Sequence, residues 1–131
     1  MAIPQTLRLT YLEPKGIHAS VKRTNPNFLN GVPELLVLEL LSQQEMYGYE
    51  LVRAILERTK EKLTFGEGCI YPLLHWLEEL KQVSSRRQEV EGRSRNYYQI
   101  TPRGKKRLEE LESEWKEVVA GVSLVMGGQH A

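Results

Sequence analysis

The side chains best able to ligate a metal or attack a substrate are three histidines, His18, His75 and His130, and one cysteine, Cys69. The histidines lie far apart and form no HxxxH or HExxH pair, so no helix presents two of them to one zinc ion. A single cysteine excludes an intrachain disulfide and a multi-cysteine zinc site, and it fits a reducing cytoplasm. Cys69 reads as a small helix residue, not a redox sensor. Every acid is a glutamate, which removes a Ser-His-Asp triad, an aspartate-based calcium loop and an aspartyl nucleophile. Neither GxGxxG nor GxxxxGK(S/T) occurs. No metal, cofactor or catalytic activity is therefore expected.

The chemistry the residue types do support is anion binding. The formal net charge of +1 hides a strong segregation. Residues 84–107 hold eight basic groups against two acids, a local net of +6, whereas residues 108–117 hold five glutamates and one lysine, a net of −4. A concentrated basic stretch on a near-neutral chain can form an anion-binding face. The competing reading is a solvated surface.

These groups need elements to position them. At 131 residues and 40% hydrophobic the chain fits one domain with an added arm or helix. No apolar run reaches the ~18 residues of a membrane span, and residues 1–12 lack a signal-peptide core. Residues 1–30 carry Pro4, Pro14 and Pro26 and no sustained helical period, so they read as an arm. Leu7, Leu9, Tyr11, Leu12 and Ile17 are its candidate packing residues, and disorder is the competing view.

A first helix is predicted from Val32 to Ser42. It has Pro33 in the first turn and leucines nearly all round, as in a helix that is buried. A second is predicted from Gly48 to Lys60, with Leu51, Val52, Ile55 and Leu56 as its stripe and Arg53 off it. Gly48 suits close packing at its start. Gly66 and Gly68 mark a turn before a third helix, Cys69 to Leu80. Its apolar residues Ile70, Leu73, Leu74, Leu77 and Leu80 leave Tyr71 and His75 near the opposite face. Strands Val83–Val90 and Asn96–Ile100 flank a five-residue loop, Glu91–Arg95. Thr101 then caps a long helix with Pro102 as its first residue. Leu108, Leu111, Trp115, Val118, Val122 and Val125 give that helix a heptad seam. The fold class is therefore mainly α with a β-hairpin wing. A winged helix-turn-helix (31–101) follows the arm (1–30), and a dimerisation helix (102–127) follows the wing.

Several segments resemble the PadR family of bacterial transcriptional regulators. They are Met46-Tyr47-Gly48-Tyr49-Glu50-Leu51, Gly66-Glu67-Gly68-Cys69-Ile70-Tyr71-Pro72-Leu73-Leu74-His75, Gly92-Arg93-Ser94-Arg95-Asn96-Tyr97-Tyr98 and Ile100-Thr101-Pro102-Arg103-Gly104. The resemblance runs roughly from Pro33 to Val125. It implies a winged-helix domain, a C-terminal dimerisation helix, and operator binding that is often repressive and relieved by a small molecule. There are departures from the pattern. The family usually has Gly-Leu-Ile after the third helix, where this chain has Lys81-Gln82-Val83. A non-glycine residue in a left-handed cap costs about 1 kcal/mol, which points to a different turn here. The third helix also holds Glu78 and Glu79 and no Arg or Lys.

The expected DNA-binding residues are Tyr71 and His75 on the third helix, Gly68 through its free N–H, Arg93 and Arg95 at the wing tip, and Arg53 on the second helix. The expected dimer interface is the seam Leu108, Leu111, Trp115, Val118, Val122 and Val125. In multidrug-binding members of the resembled family, aromatic side chains near the dimer interface sandwich flat ligands. A pocket for a planar aromatic effector is expected beside Trp115, walled by Leu36 and Leu40; a dry, packed seam is the alternative. The expected partners are double-stranded DNA and a second copy of the chain, in the cytoplasm. The runner-up is a winged-helix interaction module that does not bind DNA.

Overall fold

The computed structural model describes residues 31–127. The arm and its packing residues, with His18 and His130, lie outside the described residues. The elements in order are α1 (Val32–Gln43), β1 (Met46–Tyr47), α2 (Gly48–Arg58), α3 (Glu67–Glu79), β2 (Val83–Val90), β3 (Arg93–Ile100) and α4 (Pro102–Val125).

Helix α1 is apolar on nearly every side because it is the centre of the protomer. Val37, Leu38, Leu40 and Leu41 are buried, and Leu35 and Leu36 pack partly buried against the same core. Leu51 and Ile55 of α2, Phe65, and Ile70, Leu74 and Leu77 of α3 complete that core with Val83. Removing this apolar surface from water, about 25 cal/mol per Å² buried, is what holds the short helices together. Phe65 lies between predicted helices, where periodicity carries no information.

Helix α3 begins at Glu67 with Gly66 as its N-cap, so Gly68 sits inside the first turn instead of preceding the helix. Its other end closes with Lys81 in the left-handed region, φ 62°. Gln82 N–H donates to the Leu77 carbonyl at 2.9 Å and Lys81 N–H to that of Glu78 at 3.0 Å. This is a Schellman cap. The expectation of a different turn is therefore corrected: lysine takes the conformation that glycine would take. The same turn anchors α4. Thr101 N–H donates to the Gln82 carbonyl at 3.1 Å, and the Thr101 hydroxyl donates to that of Lys81 at 2.7 Å. Thr101 also caps α4, accepting from Gly104 N–H at 3.1 Å. A Cβ on Gly104 would lie 2.1 Å from the Gln82 carbonyl oxygen, so only glycine allows this approach.

The wing is longer and its turn tighter than the predicted five-residue loop. β2 and β3 pair antiparallel from Val83↔Ile100 to Val90↔Arg93, joined by Glu91 and Gly92 alone. Both turn residues have positive φ, 53° and 77°, the requirement of a two-residue type I′ hairpin. Arg93, Ser94 and Arg95 are therefore strand residues. A third strand, β1, pairs with β3 through Met46↔Tyr98 and Tyr47↔Tyr97, giving the order β1-β3-β2.

Helix α4 is divided along its length. Leu108 and Leu111 are buried in the protomer's own core. Arg107 bridges to the buried Glu34 of α1 at 3.3 Å and to Glu110 at 3.2 Å. Assigning Leu108 and Leu111 to a dimer interface is corrected accordingly: the seam's first two positions are already covered by α1. The later seam positions Trp115, Val118, Val122 and Val125 are 45, 55, 55 and 88% exposed, while Ser123 on the same stretch of helix is buried.

Candidate nucleic-acid interface

Helix α3 buries Cys69, Ile70, Leu73, Leu74 and Leu77, and this turns Tyr71, Pro72, His75 and Glu79 outward. Tyr71 and His75 stand one turn apart. Tyr71 is held in two ways. Its ring lies on the backbone of Gly48, at the start of α2, where an added Cβ would fall 2.0 Å from Tyr71 Cε1. Its hydroxyl interacts with the Glu67 carboxylate one turn earlier. Partial burial and that carboxylate both raise the phenol pKa, so the group remains a hydrogen-bond donor.

The wing supplies the facing wall. Successive β3 residues point to opposite faces. Tyr98 faces the core, while Tyr97 lies on the other face with Tyr47, their ring centroids 5.4 Å apart at an interplanar angle of 72°. Two guanidinium groups stack on this pair: Arg95 over Tyr47 at 4.3 Å and Arg86 over Tyr97 at 5.3 Å. Arg86 also forms an ion pair with Glu45. Arg95 is thus not at a wing tip. It is half-buried, with its guanidinium over Tyr47, and it lines a groove together with Tyr71 and His75 of α3. Arg93, next to the turn, is exposed.

Between these walls lies an open groove of about 300 Å³ lined by Tyr47, Gly48, Tyr71, His75, Ser94, Arg95, Asn96 and Tyr98. Its lining residues carry three phenols, a guanidinium, an amide and a hydroxyl as donors, with an imidazole that can donate or accept. Such a set can hydrogen-bond phosphate oxygens and base edges.

Of the six expected DNA-binding residues, Tyr71, His75 and Arg95 meet in this groove. Arg93, Gly68 and Arg53 are not among its lining residues. Arg53 is exposed on α2 and paired with Glu57 at 2.7 Å. Tyr47, Ser94 and Asn96 were missed as site residues. Placing the hairpin turn at Glu91-Gly92 would have put Ser94, Asn96 and Tyr98 on one strand face by their spacing of two.

The expected effector residues are not brought together. Leu36 and Leu40 line a different cleft, about 200 Å³ between α1 and α2, with Glu39, Gln43, Ala54, Ile55, Arg58 and Thr59. Trp115 is not among its lining residues. Among the described residues, no cluster of three or more metal-ligating side chains occurs, and no helix is long and apolar enough to cross a membrane.

A helical core, a β-hairpin wing and a long C-terminal helix define a winged helix-turn-helix protein. The family model for the transcriptional regulator PadR-like family matches residues 37–110. Transcriptional regulator Rv3488 of Mycobacterium tuberculosis is 31% identical over 104 residues, which cover 76% of this chain and 94% of that protein. Transcriptional regulator YqjI of Escherichia coli is 36% identical over 83 residues, 63% of this chain and 39% of its own length. A crystal structure of a PadR-like transcriptional regulator from Bacillus cereus aligns with a TM-score of 0.64 at 34% identity, over 76% of this chain and 95% of the other. This chain belongs to the PadR-like family of transcriptional regulators.

Proposed function

We propose that the chain is a cytoplasmic, non-enzymatic, sequence-specific DNA-binding regulator, acting as a repressor from a homodimer. Residues 31–101 read DNA and residues 102–127 join two copies, with residues 1–30 as an added arm. The observation that carries this reading is the groove where Tyr71 and His75 of α3 face Arg95 of the wing. In this arrangement α3 enters the major groove, and the exposed Arg93 follows the backbone or the minor groove beyond it. A planar aromatic effector next to Trp115 would take its second wall from the partner protomer. It would change DNA affinity only by favouring one dimer arrangement over another.

The test is retention of DNA from the chain's own promoter region across a salt series. With about 6 phosphates neutralised, the slope of log affinity against log salt is on the order of −5. Arg93→Ala with Arg95→Ala should weaken binding to all sequences and flatten that slope. Wild-type retention by the double variant would favour the alternative, an interaction module that does not bind DNA.

A further inference from the structure

Gly48 is the first residue of α2, and its backbone does not require glycine. The described glycines with positive φ are Gly31, Gly92 and Gly127, and Gly48 is not among them. Alanine is the better helix former, so conformational preference alone favours a side chain here. What excludes the side chain is Tyr71. An added Cβ would lie 2.0 Å from Cε1, 2.6 Å from Cδ1 and 3.1 Å from Cζ of that ring. Yet Tyr71 is not a core residue. It is 38% exposed and lines the groove with His75 and Arg95, so seating it adds little to the buried core.

We propose that Gly48 is a positioning residue: the missing Cβ at the start of α2 sets where the Tyr71 ring stands in the DNA-facing groove. The inference rests on the DNA-binding reading above. The ring is seated against the Gly48 backbone, in the space a Cβ would fill. That contact places the phenol relative to His75, one turn further along α3. A methyl group at position 48 meets the far end of a rotatable side chain, so the ring moves and the backbone stays. Base contacts depend on such placement, whereas phosphate contacts tolerate more variation.

The test uses the full chain and two duplexes: the tightest one that wild type selects from a random library, and one of unrelated sequence. Gly48→Ala should bind the selected duplex about tenfold more weakly, within the range of one lost base contact. It should bind the unrelated duplex unchanged and unfold at a temperature no lower than wild type. In a Tyr71→Ala background, Gly48→Ala should have no further effect. Wild-type affinity of Gly48→Ala for the selected duplex would overturn the proposal. So would a loss that persists undiminished in the Tyr71→Ala background, or an equal loss on both duplexes with a lowered unfolding temperature. Failure of wild type to enrich any sequence would instead overturn the DNA-binding reading, and the inference with it.

Discussion

The Cys69 thiol faces the core from α3 at 2% exposure, and burial pushes its pKa up to about 12. The thiolate is the reactive form, so a thiol reagent at neutral pH should modify Cys69 only as fast as the protein unfolds. Labelling that outpaces unfolding would contradict the packing described. The raised pKa also has a sign for stability. The unfolded thiol loses its proton near its ordinary value of 9.0, before the folded one does, so this contribution is complete below pH 9 and declines from there towards pH 12. Cys69→Ala should make the alkaline loss of stability shallower. Lys81 makes the opposite kind of prediction. Its φ of 62° strains a side-chain-bearing residue. Lys81→Gly should stabilise the protein by about 0.5–1 kcal/mol, after allowing for the greater freedom of an unfolded glycine. The thermal midpoint should rise by several degrees; an unchanged midpoint would count against the strain. Cys69 read only as a small helix residue, whereas Ile70, Leu74 and Leu77 were legible as interior residues because they follow a helical period. Glu34 was not, because its partner Arg107 is 73 positions away and no local pattern connects them.

The helices were legible because α2 and α3 carry apolar stripes of helical period, α1 is an apolar run behind Pro33, and α4 shows its start through Thr101 and Pro102. The sheet was less so. β1 has only two residues, too few for any period. In the outer half of the wing Ser94 and Asn96 are exposed and Arg95 only half-buried, and the first fully buried residue of β3 is Tyr98, so the strand carries no apolar alternation there. The heptad seam of α4 was legible as apolar spacing, but spacing does not say whether the cover comes from the same chain. The first half is covered by α1, and Arg107 seals that contact. Arg107→Ala would leave the 3%-exposed Glu34 without its ion-pair partner and should cost about 3 kcal/mol in urea unfolding. Arg53→Ala, which removes a solvent-exposed pair with Glu57, should cost far less. Equal losses from the two variants would contradict the burial assigned to Glu34. The second half of α4 calls for a different experiment. Val118→Glu with Val122→Glu, both at half-exposed sites, should leave the fold intact and shift sedimentation from dimer to monomer. A double variant that still sediments as wild type would place the interface elsewhere.

At the scale of the whole molecule the charge segregation acquires a geometry. The basic stretch folds into the wing and the first turns of α4, and the acidic stretch continues along α4. A dimer built on the distal half of α4 presents two α3–wing grooves related by a two-fold axis. Their separation must match the DNA, about 34 Å for half-sites one helical turn apart. Among the described residues, Trp115 and the α1–α2 cleft are separate surfaces, so the expected effector site is not assembled by them. The most direct test of the central claim is selection of DNA by the full chain from a random duplex library, followed by sequencing of the enriched pool. The expected product is an inverted repeat with half-sites about 10 base pairs apart, centre to centre, which Tyr71→Ala degrades and Val118→Glu with Val122→Glu reduces to a single half-site. A pool with no enriched sequence, or an asymmetric site bound by one protomer of the wild-type chain, would contradict it.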